Sequence, residues 1–199
     1  MAHYFDSAPP ENLQRGMIEY RYRALAFRFF TESGIFSYRA VDRGTEALLE
    51  SLESGVRGPV LDLGCGYGAI GIVVARMHRP GRVLMVDSNR RAIRLARKNI
   101  DENQAKECEA RVSDAYAGLK GDERFASIIT NPPIRAGRET VMRFVEGAPA
   151  RLLPGGEFRM VVAKLQGAKT YETLMRQFFP KVEALAKRGG FWVLRGEVG

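Results

Sequence analysis

Residues 59–71, Pro-Val-Leu-Asp-Leu-Gly-Cys-Gly-Tyr-Gly-Ala-Ile-Gly, leave this chain few folds to choose from. Val60, Leu61 and Leu63 form a short apolar run of the kind found in strands buried within parallel sheets. Gly64, Gly66 and Gly68 follow, ahead of Ile70, Ile72, Val73 and Val74, which predict the start of a helix. Without Cβ atoms the chain turns sharply between strand and helix and lets a nucleoside-bearing cofactor approach the main chain. Two cofactor classes fit these letters. Gly66-x-Gly68-x-x-Gly71, with Asp87 placed 21 residues after Gly66, matches the dinucleotide fingerprint. Asp62 within the strand end, followed by three alternating glycines, fits S-adenosylmethionine.

The strand–helix alternation continues downstream. Arg82-Val-Leu-Met-Val-Asp87 predicts a second buried strand ending in an acid, followed by Ser88 and Asn89. One carboxylate accepts both hydroxyl protons of a ribose, which explains an acid at this distance; capping the next helix is its competing role. Asn89 to Ile100 predicts a helix with Ala92, Leu95, Ala96 and Ile100 inward. Its outer face, Arg90, Arg91, Arg94, Arg97 and Lys98, suits either solvent or RNA. Glu109 to Asp114, followed by Ala115, reads as a third strand ending in an acid, and Phe125 to Thr130 as a fourth. Val141 to Leu153 reads as a helix stopped by Pro154-Gly155-Gly156, Phe158 to Ala163 as a fifth strand, and Tyr171 to Phe179 as a helix. Val182–Ala186 and Phe191–Leu194 flank Gly189-Gly190 as an antiparallel hairpin. The alternation implies an α/β fold with a mostly parallel sheet and ligands at the carboxyl ends of its strands.

Ahead of the glycine turn, residues 17–31 alternate polar and apolar, with Tyr20, Tyr22, Phe27 and Phe29 at strand spacing. They predict two short antiparallel strands turning near Arg23–Leu25. Arg and Tyr interleaved in this way fit a half-buried strand or a platform for RNA bases. Ser33 to Ser37 reads as a loop, after which Asp42 or Thr45 caps a helix through Leu48, Leu49 and Leu52. Gly55, Gly58 and Pro59 end that helix. The expected organisation is a β-hairpin and helix extension over 1–58, packed on a cofactor-binding domain over 59–199.

Composition narrows the setting. A chain of 199 residues has room for one domain with a small appendage. Its two cysteines, Cys65 and Cys108, lie in no Cys-x-x-Cys pattern, which argues against a disulfide framework or metal site and for a reducing cytoplasm. Met1 to Asn12 lacks the apolar run of a signal peptide, and no stretch approaches the ~20 apolar residues of a membrane helix. Cys65 has no histidine near it in sequence, so it reads as a packing residue rather than a nucleophile. The net charge is +8, compatible with a nucleic-acid partner. Residues 135–199 hold twelve Lys and Arg against six Asp and Glu, so the excess falls beyond the cofactor half, where a substrate surface is expected.

The fourth strand runs into Asn131-Pro132-Pro133-Ile134. Consecutive prolines fix the backbone and remove two N–H groups, leaving the Pro132 carbonyl and the Asn131 side-chain oxygen as acceptors in a rigid turn. An exocyclic base amine has two hydrogens and needs two such acceptors. Together with the Asp62-Leu-Gly-Cys-Gly-Tyr-Gly68 turn and the strand-end acid, this resembles the class I methyltransferases that modify exocyclic amines. Ser33-Gly-Ile-Phe-Ser37, Asp42-x-Gly44-Thr45 and Asn131-Pro-Pro-Ile-Arg-Ala-Gly137 narrow the resemblance to the small-subunit ribosomal RNA guanine-N2 methyltransferase family, in its short single-domain form.

That resemblance implies a Rossmann-like class I methyltransferase domain with a seven-stranded, mostly parallel sheet and a C-terminal antiparallel hairpin. It implies S-adenosylmethionine held by Gly64, Gly66 and Gly68 at its methionine part, Asp87 at the ribose and Asp114 at the adenine amine, with Asp62, Ser88, Ala115 and Asn131 beside them. Asn131, Pro132, Pro133 and Ile134 would form the catalytic turn, acting by direct in-line transfer without metal or covalent intermediate. Position 134 is Ile, where many amine methylases carry an aromatic residue. The implied partner is RNA, ribosomal RNA or a small-subunit particle, met by Arg135 and Arg138; monomer and homodimer both stay open. Also open are methylation of adenine N6 or a protein glutamine amide, a nicotinamide-dependent oxidoreductase, and a non-catalytic RNA-binding protein.

Overall fold

The computed structural model describes residues 13–52 and 55–199, apart from the side chain of Arg135. The segment 1–12, residues 53 and 54, and the Arg135 contact expected with RNA lie outside the described residues. In chain order the elements are Arg15–Tyr22 (β1), Leu25–Glu32 (β2), Arg43–Glu50 (α1), Val60–Leu63 (β3), Ala69–His78 (α2), Val83–Asp87 (β4) and Arg90–Glu102 (α3). Cys108–Val112 (β5), Phe125–Thr130 (β6), Arg138–Gly147 (α4), Leu152–Ala163 (β7), Ala168–Met175 (α5), Lys181–Arg188 (β8) and Phe191–Glu197 (β9) complete them.

β1 and β2 form a separate hairpin, and the other strands form one sheet in the order β5-β4-β3-β6-β7-β9-β8. The pairs β3–β4, β4–β5, β3–β6 and β6–β7 are parallel, whereas β7–β9 and β8–β9 are antiparallel. β3 is buried at all four positions because it lies between two parallel neighbours with helices on both faces. Alternate residues feed two cores. Val60, Met85, Ile129 and Val193 pack with α2, α3, Leu48 of α1 and Phe29 of the hairpin. Leu61, Leu84, Ile128 and Leu194 pack with Phe144 of α4 and Leu174 of α5. From β3 the chain first builds outward to β5, then returns to place β6 on the other side of β3. A crevice opens at such a reversal, outside the carboxyl ends of β3 and β6.

The hairpin is a half-buried strand pair, with Tyr22, Phe27 and Phe29 in the core. It docks on α3 through two asparagines one turn apart. Asn99 accepts from the Phe30 N–H at 2.7 Å and donates to the Phe30 carbonyl at 3.0 Å. Asn103 does the same with Arg28, at 3.0 and 2.8 Å. Each carboxamide thus completes the ladder of an edge strand. The outer face of α3 differs from the expected free basic surface. Arg91 and Arg94 pair with the buried Glu32 of β2 at 3.1 and 3.2 Å, and the Lys98 ammonium sits 3.3 Å from the Phe30 ring centroid. Three of the five cations therefore clamp the hairpin.

Two segments correct the sequence reading. The helix expected over 141–153 begins at Arg138 and ends at Gly147, because Pro149 has no N–H to extend it. Pro154-Gly155-Gly156, read as a helix stop, is instead a bulge within β7. Phe125 pairs with Leu152 and Ser127 with Glu157, so a two-residue step on β6 faces a five-residue step on β7. The third strand ends at Val112, which leaves Ser113 and Asp114 in the turn beyond it.

Candidate active site

The crevice is a cavity of about 730 Å³, within the range for small-molecule sites. The ends of five strands, β3 to β7, line it. β3 delivers Gly64 and Gly66, β4 delivers Asp87 and Ser88, and β6 delivers Asn131 and its two prolines. Thr130 Oγ1 donates to the Leu63 carbonyl at 2.7 Å, tying the ends of β6 and β3 together.

The glycine turn uses its own amides. The N–H groups of Gly64 and Cys65 both donate to the Val86 carbonyl, at 2.8 and 2.9 Å. Gly66 donates to Asp87 Oδ2 at 2.9 Å, and Gly68 to the Cys65 carbonyl at 2.9 Å. A pyrophosphate would need free amides at this turn. Gly66 has φ +56°, and a Cβ added there would meet no protein atom within 4 Å, so its open side belongs to the cavity.

Asp87 also accepts from the Asn89 N–H through Oδ1 at 2.8 Å. Each carboxylate oxygen keeps further acceptor capacity toward the cavity. Burial pushes the Asp87 carboxyl up from its ordinary value, against these two hydrogen bonds. Asp114 lines the cavity while its carboxylate takes a two-pronged contact from Arg143 at 2.8 and 2.9 Å. Asp42 lines it as well. Among the described residues no lysine or arginine lines the cavity, and with Asp114 compensated by Arg143 the carboxylates of Asp42 and Asp87 remain on its wall without an ion-pair partner. Such a wall favours a cationic ligand over a phosphorylated one. The sulfonium and ammonium of S-adenosylmethionine fit this charge, and its ribose hydroxyls fit the acceptors of Asp87.

Two residues expected to hold the cofactor do not line the cavity. Asp62 is fully buried behind the turn, where Oδ2 accepts from the Gly71 N–H in α2 at 2.8 Å. Its Oδ1 is buried without a partner among the described residues, and burial raises its carboxyl to about 7. It is a positioning residue that fixes α2 against β3. Gly68 faces inward, where an added Cβ would come within 3.2 Å of Ile72 and 3.3 Å of Met85. Its absence of a side chain serves helix–sheet packing. Cys65 lines the cavity, but burial together with Asp62 and Asp87 pushes its thiol up, and it remains protonated.

At the end of β6, Asn131 Nδ2 donates to Asp42 Oδ2 at 2.6 Å and to Thr45 Oγ1 at 3.0 Å. Both amide hydrogens are thereby used, which leaves Oδ1 as the atom Asn131 presents to the cavity. Asp42 also caps α1, accepting from the Thr45 N–H at 2.9 Å. Sequence reasoning gave Asp42 and Thr45 only the capping role. The Pro132 carbonyl accepts from the Ile134 N–H at 2.8 Å, so one of its two acceptor positions is taken. Pro133 and Ile134 line the cavity, and Arg138 is exposed at the start of α4. Gly34 to Ser37, Phe144, Gln166 and Phe191 line it too; sequence reading did not place them in the site.

The terminal strands speak against the nicotinamide reading, because β8 and β9 are antiparallel additions where that fold continues parallel. No helix among the described residues is long and apolar enough to cross a membrane. The chain is 33% identical over 196 residues to YbxB, an uncharacterized protein of Bacillus subtilis (strain 168), covering 98% of both chains. It is 37% identical over 164 residues to ribosomal RNA small subunit methyltransferase C of Haemophilus influenzae (strain PittGG), covering 80% of this chain and 48% of that one. The T. thermophilus 16S rRNA N2 G1207 methyltransferase, solved with AdoMet and guanosine, matches with a TM-score of 0.83 at 32% identity, over 96% of this chain and 52% of that one. The chain thus spans about half the length of these two ribosomal RNA methyltransferases. The family model for the methyltransferase small domain matches residues 26–195, from β2 to β9, and with the glycine turn, Asp87 and the Asn131 turn in place the chain belongs to the methyltransferase small-domain family.

Proposed function

We propose that this protein transfers a methyl group from S-adenosylmethionine to an exocyclic amine of an RNA base, guanine N2 of small-subunit ribosomal RNA. The observation that carries the reading is the orientation of Asn131. With Nδ2 held by Asp42 and Thr45, its amide oxygen is a fixed acceptor toward the cavity. The remaining acceptor position of the Pro132 carbonyl is the second. An aryl amine is a poor nucleophile because its lone pair is delocalised into the ring. Two acceptors that hold both amine hydrogens aim the lone pair and favour a tetrahedral nitrogen carrying positive charge. Being in place before reaction, they act mainly on the transition state.

S-adenosylmethionine, when bound, supplies a methyl on a good leaving group, and positioning does much of the rest. Asp87 would orient the ribose, Asp114 the adenine end, and the turn at Gly64 and Gly66 would admit the methionine part. The aspartate-lined wall suits a cation. The RNA partner is supported by the basic excess over residues 135–199, with Arg138 exposed near the cavity. The names of the relatives point to the same substrate class.

Calorimetric titration and single-turnover methylation test this reading together. The protein should bind S-adenosylmethionine and label small-subunit ribosomal RNA. Asn131→Ala should keep cofactor affinity within about threefold and lose about 10²–10³ in rate. Heat from NAD but none from S-adenosylmethionine, or an Asn131→Ala variant at the parental rate, would overturn it.

A further inference from the structure

Phe36 is 57% exposed although it lines the cavity. The other aromatic residues of the cavity wall are spoken for by packing. Tyr67 and Phe144 are 4% and 5% exposed, and the Phe191 ring lies 3.1 Å from where a Cβ on Gly44 would stand. Phe36 makes no ring contact among the described residues, so one large aromatic face is left open at the mouth. Leaving it there forfeits about half of the roughly 1.5–3 kcal/mol that full burial of a phenylalanine contributes.

The loop that carries Phe36 is built rather than slack. On one side the Ser33 carbonyl accepts from Arg91 Nη2 of α3 at 3.0 Å. Ile35, next to Phe36, is 5% exposed in the core, and its N–H donates to the Glu32 carbonyl at 3.1 Å. On the other side the Tyr38 carbonyl accepts from Thr31 Oγ1 at 2.8 Å. Asp42, four residues further on, holds Asn131. The loop therefore runs from the start of α3, beside Asp87, toward the anchor of the catalytic turn. Phe36 lines the same cavity as Asp87 and Asn131. Position 134, in the turn after Asn131, is Ile and offers no aromatic face, and Phe191 on the Gly44 side is packed against the core.

Resting on the function proposed above, we infer that Phe36 is the stacking platform for the acceptor base, supplying from the β2–α1 loop the aromatic face that Ile134 does not. Asn131 and Pro132 grip the edge of the base, and Phe36 covers its face. A base drawn out of RNA loses its stacking neighbours, and an aromatic ring held in advance replaces one of them. Phe36 is thus a residue for acceptor binding, separate from those that hold the cofactor.

The test compares Phe36→Ala, Phe36→Leu and Phe36→Trp with the parent. It measures S-adenosylmethionine affinity by calorimetry, thermal stability, and single-turnover methylation across concentrations of small-subunit ribosomal RNA. Phe36→Ala should raise the RNA concentration at half-maximal rate roughly 5- to 150-fold, the range of one base–aromatic stack. Phe36→Leu should recover little of this and Phe36→Trp nearly all, whereas filling of space alone would let leucine, close to phenylalanine in volume, restore most of it. Cofactor affinity and thermal stability should stay near parental, since the side chain is exposed. Weakened cofactor binding in Phe36→Ala, or equal rescue by Leu and Trp, overturns the inference while leaving the proposed function intact. A parent that binds S-adenosylmethionine but does not label the RNA overturns both.

Discussion

Asn131 Nδ2 lies 2.6 Å from Asp42 Oδ2, joining the end of β6 to the N-cap of α1 across 89 residues of sequence. The contact settles which end of the Asn131 amide points into the cavity. Asp42→Ala should cost about 0.5–2 kcal/mol of stability through the lost cap. It should also slow methyl transfer by about tenfold or more, because Asn131 keeps only Thr45 as an anchor, with cofactor affinity unchanged. Asn131→Asp is the sharper probe. It sets two carboxylates at hydrogen-bond distance, so one must take up a proton or the pair must separate. Its activity should rise as pH falls, and the exchange Asp42→Asn with Asn131→Asp should remove that repulsion. Single-turnover rates against pH, for the single and double variants, measure this; superimposable profiles would dismiss the pairing.

The buried carboxyl of Asp62 makes stability depend on pH in an unusual direction. Burial raises it to about 7 from an ordinary value of 3.8, and the Gly71 N–H only partly offsets this. The folded protein therefore holds a proton that the unfolded chain has released. The stabilisation is fully present below about pH 4 and is lost as pH rises to about 7, a span worth at most about 4 kcal/mol. Asp62→Asn keeps an acceptor for Gly71 and cannot ionise. It should flatten the profile between pH 4 and 7 and be more stable than the parent at pH 8. Urea unfolding across that interval gives both curves, and parallel slopes would count against a neutral Asp62 in the fold.

What the sequence disclosed and what it hid divide by distance along the chain. The turn at Gly64 and Gly66, the acid at Asp87 and the Asn131-Pro-Pro turn were legible because each is a local pattern at a strand end. The strand–helix alternation carried the sheet for the same reason. Asp42 was legible as a cap, yet its bond to Asn131 depends on a fold that brings residues 42 and 131 together. Gly68 and Asp62 sit in the same motif as the cavity-lining glycines, and only the packing of α2 on β3 and β4 separates their roles. Pro154-Gly155-Gly156 has the composition of a helix stop, and pairing with β6 makes it a bulge instead. Arg91 and Arg94 look like a solvated face until Glu32 of β2 is set against them. One local signal was available: Asn99 and Asn103, four apart and both poor helix formers, break a basic amphipathic helix at its border.

Those two asparagines yield the last prediction, because they perform one task in common and differ in another. Both close the edge of β2, Asn99 at Phe30 and Asn103 at Arg28. Asn99, fully buried, also donates to the Tyr67 carbonyl in the glycine turn at 2.9 Å. Asn103 instead donates to the Asn99 carbonyl within α3, at 2.8 Å. Replacing either by alanine strands backbone groups of β2, and about 1–3 kcal/mol per buried group is the scale of the loss. Both variants should therefore unfold at lower urea. Only Asn99→Ala should also release Tyr67 and weaken S-adenosylmethionine binding, by roughly the 0.5–1.5 kcal/mol of one hydrogen bond. Asn103→Ala, measured under conditions where it is fully folded, should bind the cofactor like the parent and so serve as the control for general destabilisation. Calorimetry on both at matched folded fraction decides it. Equal cofactor affinities would mean that the hairpin and the glycine turn share a core without being coupled through Asn99.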